Sequence, residues 1–259
     1  MNADLEGKVV LVTGGAGGIG SVISKSFAEQ NAKVIVHYHS SKDNAIKIAN
    51  EINGRAIGAD LTDSTETKKL FNEIIEKEGK VDVCVANAGK YPKEFAPLWE
   101  LDDKRLNDTL STNLSLTLNT SREFLKHTSQ TKQGSLVFVG STAGIYGEAG
   151  HADYAAAKGA ITSGLLRTLK NEVAQIGDKV RINAVAPGWT VTQKKIDEGL
   201  NQDHVDKVVS TMALKKLASP EDVANSIVML ASNSLSGHIT GQVIEIAGGM
   251  EGRLIAGTK

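Results

Sequence analysis

The sequence predicts a doubly wound α/β fold, in which helices cover both faces of a parallel β-sheet. Three observations support this class: short apolar runs recur along the chain, most are rich in Val and Ile, and segments with helical spacing separate them. Runs that are apolar on both faces are typical of parallel strands buried between helices. The repeated alternation therefore predicts a single sheet of seven parallel strands.

The strands and helices follow from local patterns. The predicted strands are the apolar runs at 8–14, 32–38, 55–61, 81–89, 134–141, 180–188 and 242–249. Apolar residues at helical spacing predict helices that include 19–31, 64–79 and 220–232. Pro220 stands at the expected first position of the last helix and is followed by acidic residues, as helix starts prefer.

Two longer segments need separate interpretation. Segment 101–127 contains the alternating stretch "LSLTLNT", but its leucines also recur every four residues from Leu106 to Leu118. It is predicted to be a helix, because parallel strands need a crossover connection at this point. Region 189–218 is polar and has no strand run, so it is predicted to be a lid over the site. No linker interrupts the pattern, which predicts one domain over residues 1–259.

Composition excludes several classes of function. Apolar residues make up 41% of the chain, the formal net charge is −1, and no basic stripe is visible. Nucleic acid and anionic membranes are therefore not expected as partners. Cys84 is the single cysteine and lies in an apolar run, so it is expected in the core and no internal disulfide can form. Neither a signal peptide nor an apolar run of about 20 residues is recognisable, which predicts a cytoplasmic protein.

A glycine-rich turn follows the first predicted strand in "VVLVTGGAGGIGSVISKSF". Gly14 stands where the strand ends and a tight turn is needed. Gly18 allows backbone to approach a pyrophosphate, and Gly20 allows the next helix to pack closely on the strand. The N-terminus of that helix offers free N–H groups to phosphates. This turn predicts a dinucleotide-binding site.

Tyr154 and Lys158 are four residues apart in "HADYAAAKGAIT", so on a helix they share one face. An ammonium group beside a phenol favours the phenolate. A tyrosine pKa near 10 would have to fall by about 3 units, or about 4 kcal/mol, for Tyr154 to act as a base at neutral pH. Lys158 and an oxidised nicotinamide together could supply this, which predicts Tyr154 as a general acid and base. Taken alone, the pair could also be an exposed pair on an alanine-rich helix.

The spacing T-G-x-x-x-G-x-G from Thr13 to Gly20, together with "YAAAK", resembles the short-chain dehydrogenase/reductase family. Further motifs follow in the family's order: "ANAG" at 86–89, Asn113, "GS" at 140–141 and "PG" at 187–188. The resemblance covers roughly residues 5–250 and is strongest to the branch of 3-oxoacyl-ACP reductases and sugar dehydrogenases. It implies a Rossmann fold that interconverts a carbonyl and a secondary alcohol by hydride transfer with NAD(P).

The resemblance also implies the site. Asn113, Ser141, Tyr154 and Lys158 are the predicted catalytic residues, with Ser141 binding the substrate oxygen and Asn113 holding a water that links Lys158 to solvent. The predicted cofactor-binding residues are Gly14, Gly18, Ile19, Gly20, Tyr38, Ser40, Asp60, Leu61, Asn87, Ala88, Gly89, Tyr154, Lys158, Pro187, Gly188 and Thr192. Tyr91, Tyr146, His151 and Trp189 border these motifs and are predicted either to line the substrate pocket or to pack. No metal is implied.

The end of the second strand bears on the choice between NADP and NAD. An NAD site usually has an acid there, but positions 37–41 contain none. The candidates to hydrogen-bond a 2′-phosphate are His37, Tyr38, His39, Ser40, Ser41 and Lys42. Gly17 favours NAD, because many NADP-using relatives have Arg or Lys at this position. NADP is predicted, with NAD as the alternative.

The sequence also bears on other functions found on this fold. A dinucleotide-sensing binding protein usually lacks the tyrosine or the lysine, and both are present here. Lyases and epimerases of the family are mostly longer or differ in spacing, and enoyl reductases have a wider Tyr–Lys spacing. A small-molecule substrate is expected, with a 3-oxoacyl group, a sugar or polyol, and a small ketone all open. The family implies a homotetramer or homodimer, with the helices at 101–127 and 151–177 in one interface.

Overall fold

The computed structural model describes residues 2–197, 199 and 201–250. Within them, seven parallel strands form one sheet in the order β3-β2-β1-β4-β5-β6-β7. The strands are β1 (Val9–Val12), β2 (Lys33–Tyr38), β3 (Arg55–Gly58), β4 (Val83–Ala86), β5 (Gln133–Val139), β6 (Lys179–Pro187) and β7 (Val243–Ile246). The predicted doubly wound seven-stranded sheet is confirmed.

Helices connect the strands. In the described part of the chain they are α1 (Gly18–Ala28), α2 (Lys42–Glu51), α3 (Ser64–Glu78), α4 (Asp103–Leu110), α5 (Leu116–Thr131), α6 (Ala143–Tyr146), α7 (Ala152–Gly159), α8 (Leu166–Glu172), α9 (Gln193–Asp197), α10 (Gln202–Ser210), α11 (Pro220–Ala231) and α12 (Asn233–Ser236). The helical interpretation of 101–127 is confirmed by α4 and α5. Short π-helical turns, Ser111–Ser115 and Ala160–Leu165, join α4 to α5 and α7 to α8.

The sheet is buried on both faces. Val10 of β1 lies in a hydrophobic cluster with Phe27 of α1, whereas the next residue, Leu11, lies in a second cluster with Phe71 of α3. Successive residues of a strand point to opposite faces, so a strand covered on both sides must be apolar at every position. This is why the strands are visible as unbroken apolar runs in the sequence.

Helix ends follow ordinary capping chemistry. Ser219 accepts the backbone N–H of Asp222, and the Asp222 carboxylate accepts the backbone N–H of Ser219, which is a capping box at the start of α11. Pro220 occupies the first turn, as predicted. At the C-terminal end of α3, Gly79 adopts φ 80°, a left-handed conformation that glycine tolerates best.

Several apolar runs are longer than the strands they contain. The run predicted at 8–14 yields a strand only from Val9 to Val12, because Gly14 adopts φ 61° and turns the chain. The residues beyond the strand ends form the site described below. No helix in the described ranges has the length and hydrophobicity needed to span a bilayer.

Region 189–218 contains the short helices α9 and α10, and a bridge between Thr190 and Ala218 joins its two ends. Residues 198 and 200 of the predicted lid lie outside the described residues, as do residues 1 and 251–259 of the predicted single domain. The lid role and the single domain over 1–259 remain predictions.

Candidate active site

The site lies at the carboxyl edge of the sheet, where β1 separates β2 from β4. The order of strands reverses at this point, and open α/β sheets bind ligands in the crevice beside such a reversal. The turns after β1 and β4 meet here, next to the end of β5 and helix α7, which contains Tyr154 and Lys158. The arrangement brings together residues that are distant in sequence.

The glycine turn after β1 is sterically demanding. Gly14 has φ 61°, and a Cβ built on it would lie 3.1 Å from Cα of Ala88. A Cβ on Gly20 would lie 2.1 Å from the Gly14 carbonyl oxygen, so α1 approaches the turn more closely than any side chain permits. Gly14 and Gly20 thus behave as the sequence predicted.

Thr13 ties this turn to the turn after β4. Its hydroxyl donates to the Val85 carbonyl at 3.2 Å and accepts the backbone N–H groups of Asn87 and Ala88, both at 2.9 Å. The Asn87 amide then donates to the Thr13 carbonyl at 2.9 Å and to the Gly14 carbonyl at 3.3 Å. "TG" and "NAG" are therefore parts of one hydrogen-bonded unit.

The remaining predicted residues near the glycine turn have different surroundings. A Cβ on Gly18 would lie 2.6 Å from the Thr192 methyl carbon, so the segment after β6 packs directly on the start of α1. The side chain of Ile19 packs against the core, and its backbone N–H belongs to the first turn of α1, where N–H groups have no acceptor within the helix. Pro187 ends β6, and the Gly188 N–H donates to the Ile246 carbonyl at 3.0 Å.

The residues after β2 and β3 form the far end of the crevice. The ring of Tyr38 packs over Gly58, where a Cβ would lie 2.8 Å from two ring carbons. Ser40 is exposed. The Asp60 carboxylate accepts the Thr62 hydroxyl at 2.7 Å, and the Thr62 bonds lower the pKa of Asp60.

Leu61 is buried, so at most its backbone is available to a cofactor.

His37 does not face a 2′-phosphate. Its Nδ1 accepts the Gly14 N–H at 3.0 Å, and its Nε2 lies 3.0 Å from the Ala59 carbonyl oxygen. Burial lowers the pKa of His37 to about 4. Its inclusion among the phosphate ligands was wrong, because a side chain on this strand position points into the protein rather than out of the crevice.

The Ser141 hydroxyl lies close enough to the Tyr154 hydroxyl to lower its pKa. Tyr154 lies on α7, and Ser141 comes two residues after the end of β5. Burial raises the pKa of Tyr154 to about 12, while Ser141 lowers it in part and the charge of Glu148 raises it further. Tyr154 is therefore a neutral phenol at neutral pH.

Lys158 is buried next to the ring of Tyr154. Its Nζ donates to the Val139 carbonyl at 2.9 Å and is 5.7 Å from the centroid of the Tyr154 ring. Burial lowers the pKa of Lys158 to about 8. In the protein alone, desolvation of the phenolate is the largest influence on the pKa of Tyr154, and the lowering expected from Lys158 together with an oxidised nicotinamide remains a prediction. Reaching a pKa near 7 from about 12 takes about 7 kcal/mol, at about 1.4 kcal/mol per unit.

Asn113 lies in the π-helical turn Ser111–Ser115 and is fully buried. Its amide nitrogen donates to the carbonyls of Lys90 at 2.9 Å and Thr109 at 3.0 Å, whereas its Oδ1 has no hydrogen-bond partner. A Cβ on Gly89 would lie 2.7 Å from this oxygen and 3.3 Å from the Lys158 ammonium. An orphaned acceptor and an ammonium thus flank the same space, which fits a water or hydroxyl between them.

An aromatic wall stands next to Tyr154. The ring of Tyr91 meets the Tyr154 ring edge-on at 5.1 Å and stacks on His151 at 4.7 Å. The Tyr91 hydroxyl donates to Glu148 at 2.6 Å, and burial together with this bond raises the pKa of Tyr91. His151 is buried, with its Nε2 3.1 Å from the Pro92 carbonyl oxygen.

The other two pocket candidates have different neighbours. The Tyr146 hydroxyl bonds to Glu245 of β7, and the ammonium of Lys195 lies 5.2 Å from the centroid of the Trp189 ring. A substrate role for Tyr91, Tyr146, His151 and Trp189 remains a prediction. Within the described residues, His, Cys, Asp and Glu side chains are nowhere grouped as metal ligands would be.

A buried ion pair, which the sequence did not predict, holds the start of α7, the helix that contains Tyr154. Arg105 of α4 contacts the Asp153 carboxylate at 3.1 Å, and Thr109 donates to the same oxygen at 2.8 Å. Arg105 also donates to the carbonyls of Glu94 at 2.7 Å and Gly150 at 3.2 Å. The pair therefore joins the aromatic wall to the residue before Tyr154. An acid directly before the tyrosine was the only signal, and it did not indicate its partner.

Comparison with known proteins agrees with this geometry. The sequence pattern of the short chain dehydrogenase family matches residues 8–203. The 3-oxoacyl-[acyl-carrier-protein] reductase FabG of Thermotoga maritima is 35% identical over 251 residues, which cover 95% of this chain and 98% of the relative. The enzyme of the same name from Staphylococcus epidermidis is 33% identical over 248 residues, covering 94% and 98%. That of Escherichia coli K12 is 31% identical over 249 residues, covering 95% and 98%.

Both the family pattern and these relatives span most of the chain, and the matched region contains the glycine turn and the Tyr–Lys pair. The chain therefore belongs to the short-chain dehydrogenase family and is an NAD(P)-dependent oxidoreductase that interconverts a carbonyl and an alcohol.

Proposed function

We propose that this chain is an NADP-dependent carbonyl reductase with Asn113, Ser141, Tyr154 and Lys158 as its catalytic residues. The observation that carries the proposal is the closeness of the Tyr154 and Ser141 hydroxyls at the carboxyl edge of the sheet, where Ser141 lowers the pKa of Tyr154. Two hydroxyl groups that already meet can both reach one further oxygen, which is the geometry needed to hold and protonate a carbonyl.

The glycine turn fits a dinucleotide. Gly14 and Gly20 leave no room for side chains, and the start of α1 presents backbone N–H groups to a pyrophosphate. The cofactor would supply the hydride. Ser40, Ser41 and Lys42 are exposed at the start of α2, where hydroxyl and ammonium groups can bind a 2′-phosphate. The ratio of kcat/KM with NADPH to that with NADH tests this preference, and a ratio below one contradicts it.

Side chains of the protein would transfer the proton that the substrate oxygen receives. During reduction, Ser141 donates a hydrogen bond to the substrate oxygen, and Tyr154, a neutral phenol, gives it a proton. Lys158, one turn further along α7, would then return a proton to the tyrosine. Asn113 keeps a water beside the Lys158 ammonium with its otherwise unpartnered Oδ1, so that the lysine can be reprotonated from solvent.

The substrate class is narrowed by the relatives. Those described above are named 3-oxoacyl-[acyl-carrier-protein] reductases, which favours a 3-oxoacyl thioester for this chain. The panel that tests it contains 3-oxoacyl thioesters, ketoses and cyclic ketones, with NADPH consumption as the readout. A rate confined to ketoses would contradict the thioester assignment but not the reductase. NADPH binding without turnover of any substrate would favour the dinucleotide-sensing alternative.

Tyr154→Phe tests the mechanism. The variant keeps the ring but loses the proton, so turnover should fall by about 10²–10⁴-fold while the Kd for NADPH stays within about twofold. Tyr91→Phe is the matched control, because Tyr91 contacts Tyr154 but has no assigned proton transfer. Retention of more than a tenth of the activity by Tyr154→Phe would refute the assignment.

The protein is also proposed to form a homodimer or homotetramer and to be cytoplasmic. Leu106, Leu110 and Leu114 are half-buried and Leu118 is 44% exposed along α4 and α5, which supports a homodimer or homotetramer with these helices in one interface. Light scattering of Leu118→Glu should then report a smaller species than the unmodified protein. A cytoplasmic location is supported by Cys84, the single cysteine, which is free and buried.

A further inference from the structure

His37 contacts the glycine turn through both its side chain and its backbone. The residue lies in β2 and is 2% exposed. Its Nδ1 accepts the Gly14 N–H at 3.0 Å, and its carbonyl accepts the Gly15 N–H at 2.9 Å. The first two amides of the turn are therefore held by one residue of the neighbouring strand.

The partners of the ring define its tautomer. A backbone N–H can only donate and a carbonyl can only accept. Nδ1 must therefore be unprotonated to receive Gly14, and Nε2 must carry the proton to reach the Ala59 carbonyl at 3.0 Å. A ring protonated on Nδ1 would place two N–H groups against each other and leave the partly buried Gly14 donor without an acceptor.

The surroundings keep the ring neutral. Burial lowers the pKa of His37 to about 4, opposed by the hydrogen bond to Ala59. The ionisable groups that act on it are His39, which lowers the pKa further, and Asp60, which raises it. At neutral pH the acceptor is therefore continuously present at Gly14.

The turn is held from two sides. Asn87 from the turn after β4 donates to the Gly14 carbonyl at 3.3 Å, while His37 from β2 accepts the Gly14 N–H. With φ 61° at Gly14, the peptide planes on both sides of this residue are constrained by neighbouring strands. Loss of either contact would free the backbone that has to face the pyrophosphate.

We propose that His37 is a positioning residue for the dinucleotide, which holds the glycine turn in its phosphate-binding conformation through the Nδ1–Gly14 hydrogen bond. The inference rests on the proposed binding of the cofactor at this turn. Because the pyrophosphate is common to NADP and NAD, the effect is on both cofactors alike. It is distinct from any discrimination of the 2′-phosphate by the exposed residues after β2.

The test compares two substitutions that differ in the acceptor. In His37→Asn, the amide oxygen can occupy the position of Nδ1 and accept Gly14. In His37→Phe, the ring shape remains but the acceptor is lost. Calorimetric titration should give a Kd for NADP⁺ within about threefold of the unmodified protein for His37→Asn and at least about tenfold higher for His37→Phe. The KM for NADPH should follow, with kcat little changed.

Controls separate this role from general damage. His238→Phe, at an exposed position after α12, should bind NADP⁺ as the unmodified protein does. NAD⁺ affinity should fall by the same factor as NADP⁺ affinity in His37→Phe. A fall for NADP⁺ alone would overturn the inference, and so would equal affinities of His37→Asn and His37→Phe. If the unmodified protein bound neither dinucleotide, the proposed cofactor site would be refuted as well.

A second measurement needs no variant and remains decisive if His37→Phe does not fold. Nitrogen-15 NMR of the histidine rings in the unmodified protein should show His37 with the proton on Nε2. Addition of NADP⁺ should shift its Nδ1 resonance together with the Gly14 amide. A proton on Nδ1, or no response of either signal to NADP⁺, would overturn the inference.

Discussion

The pair formed by Arg105 and Asp153 should be a large single contribution to stability, although the two residues are 48 positions apart. The side chains are 18% and 0% exposed, and their closest atoms are 3.1 Å apart. At that distance, two unit charges attract by about 5 kcal/mol with an effective dielectric constant of about 20. The substitution Arg105→Met keeps an unbranched, flexible side chain but removes the guanidinium and its charge.

The loss of stability expected for Arg105→Met depends on the groups that remain around Asp153. Asp153 would stay buried with Thr109 as its side-chain donor, and removing one partner of a buried pair typically costs about 3–5 kcal/mol. We expect the free energy of unfolding in urea to fall by that amount, at constant protein concentration. The double variant Arg105→Met, Asp153→Asn should lose about 2 kcal/mol less than the sum of the single changes.

The contribution of the Arg105–Asp153 pair to stability depends on pH through the pKa of Asp153. Burial alone would raise the pKa of Asp153, but the bonds from Thr109 and Arg105 lower it below its unfolded value. The stabilisation is therefore present above the ordinary Asp pKa of about 4 and is lost as the pH falls through the folded pKa. The cost of Arg105→Met should shrink over the same range.

A surface pair provides the comparison. Lys77 and Glu73 are 2.7 Å apart on α3 but about two-fifths exposed, with side chains at 44% and 41%. Lys77→Met should lower the free energy of unfolding by no more than about 0.5 kcal/mol. A loss of less than about 1 kcal/mol in the free energy of unfolding of Arg105→Met, or additive effects of the two single changes, would contradict a stabilising buried pair.

Three further predictions concern the site and the core. Gly20→Ala should abolish NADP⁺ binding in a titration, because its Cβ would lie 2.1 Å from the Gly14 carbonyl; Gly164→Ala, where nothing lies within 4 Å, should bind normally. Burial raises the pKa of Cys84, so a thiol reagent should label it only after denaturation, and rapid labelling of the folded protein would contradict its placement. Because the pKa of Tyr154 is about 12, alcohol oxidation should accelerate as the pH rises above neutral, and a flat profile would exclude Tyr154 as the base.

The sequence determined the fold class and the helix face that Tyr154 and Lys158 share. Strands buried on both faces must be apolar throughout, so the seven runs are visible without any tertiary information. The steric need for glycine at Gly14 and Gly20 follows equally from a tight turn against a helix. Tyr154 and Lys158 share a helix face through their spacing alone.

The surroundings of these residues were decided by the tertiary structure. His37 was expected at a phosphate and instead holds Gly14, because the direction of its side chain depends on how β2 pairs with its neighbours. In the protein alone the pKa of Tyr154 is raised, because desolvation depends on everything packed around the phenol. Local spacing specifies which residues can meet along one element. Burial and pairing between distant elements, such as Arg105 with Asp153, arise only when the sheet and its helices are assembled.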